Sequence, residues 1–253
     1  MTWRCVSAFR VGTSHIQNQT ECQDNCYVGS WETPAGGEVL VAVAADGAGS
    51  ASQSRVGSDL ACEATKIYFT RKFSGNEVPP LSVDDAYACV DVIRRSLKAE
   101  SSRRGVPVRE FACTLVGIVV AQDHALAFQI GDGATIVRSH DQLVPVFWPE
   151  AGEYANQTHF LTDQDAVTHL RVTLLPAPQE LAVITDGLQR LALVFATQQV
   201  HTPFFEPMFK VLRDARDIDA CDALGGHLEA FLDSAAVNDR TDDDKTLVLA
   251  IRP

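Results

Sequence analysis

Three apolar runs in this sequence stop on Asp-Gly: VAVAADG at Val41–Gly47, AFQIGDG at Ala127–Gly133 and LAVITDG at Leu181–Gly187. Each run has the length of a short buried strand, and each then presents a carboxylate where burying a charge is costly. Asp-Gly after a strand is also ordinary turn chemistry, so any single case stays open between a turn and an aimed acid. Two more acids flank apolar runs: Asp24 stands ahead of the strand candidate Cys26–Val28, and Asp243 ahead of TLVLAI at Thr246–Ile251. Carboxylates on one rim of a sheet would repel and raise one another's pKa unless a cation lay between them. Oxygen ligands without histidine or thiolate companions suit Mg2+ or Mn2+ better than zinc. The glycine that follows Asp46, Asp132 and Asp186 lets the backbone close in and offer a carbonyl, and an aspartate between two such ions would bridge them.

The remaining chain supplies the frame for such a rim. Strand signals fall at Glu38–Ala45, Thr114–Val120, Ala125–Ile130, Thr135–Arg138, Leu143–Phe147, Leu181–Thr185 and Thr246–Ile251. Helical spacing of apolar residues marks Ser50–Phe73 (Val56, Leu60, Ala64, Ile67, Tyr68) and a second helix from Ser82, where Asp85 three residues on forms a capping-box start. A third helix is expected over Cys221–Ser234. Strand blocks interrupted by paired helices, without βαβ alternation, predict an α+β fold with antiparallel sheets. No linker, repeat or low-complexity tract divides the 253 residues, so one domain over 1–253 is expected.

Composition narrows the partners. A net charge of −12, from 33 acidic against 21 basic side chains, argues against nucleic acid, which requires a basic face. It leaves phosphate chemistry open, because carboxylate-bound cations reverse the local field. No run approaches the ~18 apolar residues of a membrane span, so no membrane partner is expected. The seven cysteines show no CxxC pair. Cys22 and Cys26 lack the two further ligands that zinc would need, so reduced thiols and a cytoplasmic protein are expected.

Taken in order, QD, ADG, FACTLVG, GDG, TDG and DDKT resemble the metal-dependent PP2C (PPM) protein serine/threonine phosphatases. The likeness is to the compact bacterial branch with SHxxxxxxxCQD and GEYAN segments, here Ser14–Asp24 and Gly152–Asn156, and runs from about Gly12 to Ile251. The resemblance implies an αββα sandwich, two antiparallel sheets flanked by helix pairs. It implies hydrolysis of phosphoserine or phosphothreonine by a water activated between two Mg2+ or Mn2+ ions. Carried over residue by residue, Asp46 bridges both ions and the Gly47 carbonyl binds the second. Asp186 and Asp243 complete the first site, Asp24 matches the acid of the family's Glu-Asp pair, and Asp132 holds a third, weaker ion. Thr114 matches a structural threonine beside the metals. A mobile flap is expected at about 149–170. A phosphorylated protein is the implied substrate, and a cognate protein kinase and a von Willebrand A-like protein are the implied partners.

Three positions depart from the family's pattern. Gln23 replaces the first acid of the Glu-Asp pair, which weakens the second site while leaving an amide oxygen as a ligand. Gln19 stands where many relatives carry an arginine for the substrate phosphate, and Ala48 where eukaryotic members carry the DGH histidine. His15 is the candidate to bind substrate or protonate the leaving oxygen, with Arg4 and Arg10 the other nearby cations. These departures support the alternative of a regulatory pseudophosphatase that binds without turnover; the converging aspartates, costly without metal, favour the enzyme.

Overall fold

The computed structural model describes residues 2–149, 158–215 and 218–253. In chain order the strands and helices are β1 (Arg4–Arg10), α1 (Thr13–Gln17), β2 (Asn25–Glu32), β3 (Glu38–Ala45), α2 (Ser54–Lys72), α3 (Val83–Arg104), β4 (Leu115–Ala121), β5 (His124–Ile130), β6 (Ala134–Ser139) and β7 (Gln142–Pro145). There follow β8 (Arg171–Pro176), β9 (Glu180–Ile184), α4 (Gln189–Ala192), β10 (Leu193–Val194), β11 (Gln199–Val200), α5 (Thr202–Asp214), α6 (Ile218–Leu232), α7 (Ala235–Asn238) and β12 (Lys245–Ile251).

Among the described residues two five-stranded sheets form, in the orders β1-β12-β9-β6-β7 and β2-β3-β4-β5-β8. Every pairing within them is antiparallel. Strand β3 shows why the apolar runs are continuous. Val39, Val41 and Val43 face the α2/α3 layer with Phe69, Phe73, Ile93 and Leu97. The alternate residues Leu40, Ala42 and Ala44 face the other sheet, against Leu181, Val183, Val248 and Ala250. A strand covered on both faces has no solvent side, so its period-2 alternation disappears into one hydrophobic run. A second outer layer, with Phe205, Phe209, Leu212 and Leu228 of α5 and α6, covers the β12/β9 sheet. The order is helix, sheet, sheet, helix, as the resemblance implied.

The strand and helix expectations hold in outline, with ends moved by a few residues. The Ser82–Asp85 capping box forms, with the Ser82 N–H donating to the Asp85 carboxylate at 2.8 Å. Strands β1 and β8 and helix α5 carry no expectation above. β1 (RCVSAFR) and β8 (RVTLLP) are edge strands of mixed burial, so neither shows a clean period. Helix α5 has Pro207 inside it, which reads in sequence as a helix breaker.

Candidate metal centre

Register brings the acids together. Antiparallel pairing sets Asn25 opposite Ala45, so Asp24, just before β2, lies beside Asp46, just after β3. The pairing of Leu247 with Ile184 places the chain entering β12, with Asp243, beside the chain leaving β9, with Asp186. Ala134 pairs with the same Ile184, which delivers Asp132 from the β5–β6 turn. Carboxylate oxygens of Asp46, Asp132 and Asp186 lie within 4.8 Å of one another. Thr114 braces the first of these: its N–H donates to the Asp46 carbonyl at 2.8 Å and its hydroxyl accepts from the Asp46 N–H at 3.0 Å.

Burial and mutual repulsion set the electrostatics. Burial pushes Asp24 up to about 6, although hydroxyls of Thr185 (2.8 Å) and Thr246 (2.7 Å) donate to its Oδ2. Burial, then the charges of Asp24 and Asp186, holds Asp46 well above the carboxylate range. Burial, then Asp132 and Asp243, does the same to Asp186, and Asp243 is raised chiefly by burial. Three oxygens are buried here without a donor: Asp24 Oδ1, Asp132 Oδ1 and Gln23 Oε1. Orphaned acceptors in a crowd of carboxylates, with no histidine or thiolate among the cluster acids, are the donor set of a hard divalent cation. The residues present therefore fit such an ion.

The backbone around the cluster leaves no room for side chains. A Cβ on Gly47 would lie 2.7 Å from the Gln23 carbonyl oxygen, and one on Gly187 only 1.9 Å from that of Asp244. Gly187→Ala is expected to part these two chains and to lower stability by about 1–3 kcal/mol, the usual cost of overpacking, read by urea unfolding. An unchanged unfolding midpoint would contradict this packing.

The other sequence candidates separate. Gln23 stays at the site, its N–H donating to Asp244 Oδ2 at 2.6 Å and its carbonyl accepting from Ser58 Oγ at 2.6 Å. Gln19 is an exposed turn residue with φ 58°. Ala48 packs in an apolar cluster with Ala51, Ala112 and Phe160, so no proton donor stands there. Arg4 donates to the Arg213 carbonyl and Arg10 pairs with Glu229, so both are committed away from the site. His15, on α1, has Nδ1 2.9 Å from Asp244 Oδ2, close enough for an ion pair although not aligned as a hydrogen bond. Of the expected flap, Gly152–Asn156 falls outside the described residues. Its return limb is tied down by Thr158, which donates to Asp132 Oδ2 at 2.7 Å, and by Arg94, which donates to the Leu161 and Asp163 carbonyls, both at 2.6 Å.

Sequence reasoning missed Asp244, Thr185 and Thr246. Asp244 sat in view within the DDDK run, yet only its burial, at 2% exposure, distinguishes it from its neighbours.

Comparison with known proteins bears on the family and the fold. A family model described as Protein phosphatase 2C matches residues 11–233. The chain is 43% identical to Serine/threonine-protein phosphatase 3 of Escherichia coli (strain K12), over 99% of each sequence. It is similar in structure to the Mycobacterium tuberculosis serine/threonine phosphatase PstP/Ppp, with TM-score 0.64 and 15% identity over 99% of each chain. It also resembles the catalytic domain of PstP in complex with two manganese ions, with TM-score 0.61 and 14% identity over 98% of this chain and 97% of that one. At such identities the two structural likenesses speak for the fold.

Proposed function

The chain belongs to the protein phosphatase 2C family and is a serine/threonine phosphatase, and we propose that it works with Mg2+ or Mn2+ held by Asp24, Asp46, Asp132, Asp186 and Asp243. The carrying observation is the set of buried, donorless oxygens within a ring of mutually repelling carboxylates. In this reading Asp46, Asp186, Asp243, the Gly47 carbonyl and the Gln23 amide oxygen would hold two such ions. Asp132 serves a third, weaker site. Such cations, when bound, acidify water into a nucleophile at neutral pH and stabilise charge on phosphoryl oxygens.

The protein's own groups do the positioning. Thr185 and Thr246 fix one oxygen of Asp24, which leaves Oδ1 facing inward. Thr158 and Gln189 hold Asp132 from the side chain and the carbonyl respectively. His15 hydrogen-bonds the phosphoryl group and donates to the departing seryl or threonyl oxygen, the role for which Ala48 offers nothing.

Phosphoproteins are the substrates that the family implies. A cognate kinase and a von Willebrand A-like protein are further partners proposed on resemblance alone. Residues 1–253 are read as one phosphatase domain. No helix among the described residues is long and apolar enough to cross a membrane. The thiols of Cys5, Cys22, Cys26, Cys62, Cys89 and Cys113, free of disulfides, support a cytoplasmic setting.

The test is phosphate release from a phosphothreonine peptide in Mn2+, in Mg2+ and in chelator. Turnover is expected in one or both cations and a fall of at least about 10³-fold in chelator, since the ions supply several kcal/mol and each ~1.4 kcal/mol is tenfold. Equal rates in chelator would overturn the metal reading.

A further inference from the structure

We propose that Asp244 is the positioning residue of His15, fastening the segment that carries this histidine over the metal centre and turning its Nε2 toward the site. Asp244 is 2% exposed and meets three partners from one stretch of chain. Its Oδ1 accepts the Gly12 N–H at 2.6 Å. Its Oδ2 accepts the Gln23 N–H at 2.6 Å and lies 2.9 Å from His15 Nδ1. Both ends of the segment from Gly12 to Gln23 are thus tied to a single side chain.

The neighbouring residue strengthens the attachment. Ser14 donates both its N–H (2.9 Å) and its hydroxyl (2.7 Å) to the Asp242 carbonyl. The approach is tight enough that a Cβ on Gly12 would fall 2.4 Å from that same oxygen. At five residues, α1 is too short to hold a helical shape alone, so this docking decides where His15 stands.

One edge of the ring lies against Asp244 and the other is open. With Nδ1 against Asp244, Nε2 faces the loop that follows Asp46, 4.0 Å from where a Cβ on Gly49 would lie. Gln23 Oε1 lies at the same 4.0 Å from that point, so the ring edge and the orphaned amide oxygen border one space. The His15 side chain is 16% exposed, which leaves that edge reachable by a substrate. A neutral imidazole carries its proton on one nitrogen, and the partner of the other nitrogen decides which. A buried carboxylate at Nδ1 holds a proton there in either charge state, so the imidazolium presents its Nε2–H to the phosphoryl and leaving oxygens and, having given that proton up, is left as the neutral Nδ1–H ring.

This inference rests on the reading of His15 above, and the two can fail separately. The experiment compares wild type, His15→Gln, Asp244→Asn and the double variant in Mn2+, on a phosphothreonine peptide and on p-nitrophenyl phosphate. Nitrophenolate departs without a proton donor, whereas a threonyl oxygen needs one. Each single variant is expected to lower peptide kcat/KM about 10- to 100-fold, and at least about 10-fold more than it lowers the nitrophenyl rate. The double variant should fall no further than the worse single one, because residues acting as one unit are not additive.

Equal loss on both substrates from Asp244→Asn, or full additivity with His15→Gln, would overturn the positioning role. The 15N spectrum of the wild-type His15 ring, assigned by its disappearance in His15→Gln, provides a readout that needs neither turnover nor a folded Asp244→Asn. Its neutral ring is expected as the Nδ1–H tautomer, and the Nε2–H tautomer refutes the proposal. If His15→Gln leaves peptide hydrolysis unchanged, the His15 reading falls, and the ring spectrum alone decides the positioning.

Discussion

Asp46→Asn is expected to lower kcat/KM on a phosphothreonine peptide by about 10³-fold or more and, in chelator, to raise the temperature of unfolding. The two effects have one origin. Asp46 is half-buried, and its pKa is driven up by burial and then by Asp24 and Asp186, so in the metal-free protein its charge is a liability. An amide of the same shape removes that repulsion and keeps the backbone bonds to Thr114. With cation present the same carboxylate is, on the proposed reading, a metal ligand, and its loss would forfeit several kcal/mol of transition-state stabilisation. Function and stability are therefore opposed at this position, as they often are where an active site concentrates like charges. Phosphate release with Mn2+ and thermal melts in chelator measure the two halves, and a lower melting temperature in chelator would contradict the repulsion argument.

The second large effect is an inverted pH dependence of stability. An aspartate that is stabilised when ionised loses stability as pH falls; Asp24 behaves in the opposite sense. Its folded pKa of about 6 lies above the ordinary 3.8, so between those values the folded chain binds more protons than the unfolded chain. Stability then falls as pH rises, which makes the contribution full below 3.8 and lost on passing about 6. For two pKa units this amounts to on the order of 3 kcal/mol, and Asp46, Asp186 and Asp243 shift in the same direction. In chelator, urea unfolding is expected to show greater stability at pH 4.5 than at pH 7.5. Saturating Mn2+ should reverse the order, because the ions bind the deprotonated carboxylates of the folded state alone. A chelated protein more stable at pH 7.5 would show that the cluster is relieved by some means other than cations.

Much of the site was legible because its acids sit at strand ends, where local rules operate. A doubly buried strand writes a continuous apolar run, and a charge ending that run is visible in one dimension, as at Asp46 and Asp186. The Ser82–Asp85 cap and the apolar faces of α2 and α3 are local in the same sense. The edge strands β1 and β8 were not legible, since their mixed burial erases any period. Arg4 and Arg10 looked like available cations, and only their contacts with the Arg213 carbonyl and Glu229 show them committed elsewhere.

The sequence by itself therefore determined the inner strands, the faces of α2 and α3 and the five acids at the strand ends. The tertiary structure alone decided that the five share one rim, because strand order is a property of pairings between distant segments. It also decided which of three consecutive aspartates turns inward. Asp244 meets Gly12 across 232 positions and Gln23 across 221. Such contacts form only after two sheets have been stacked and closed around a core, and no local propensity encodes them.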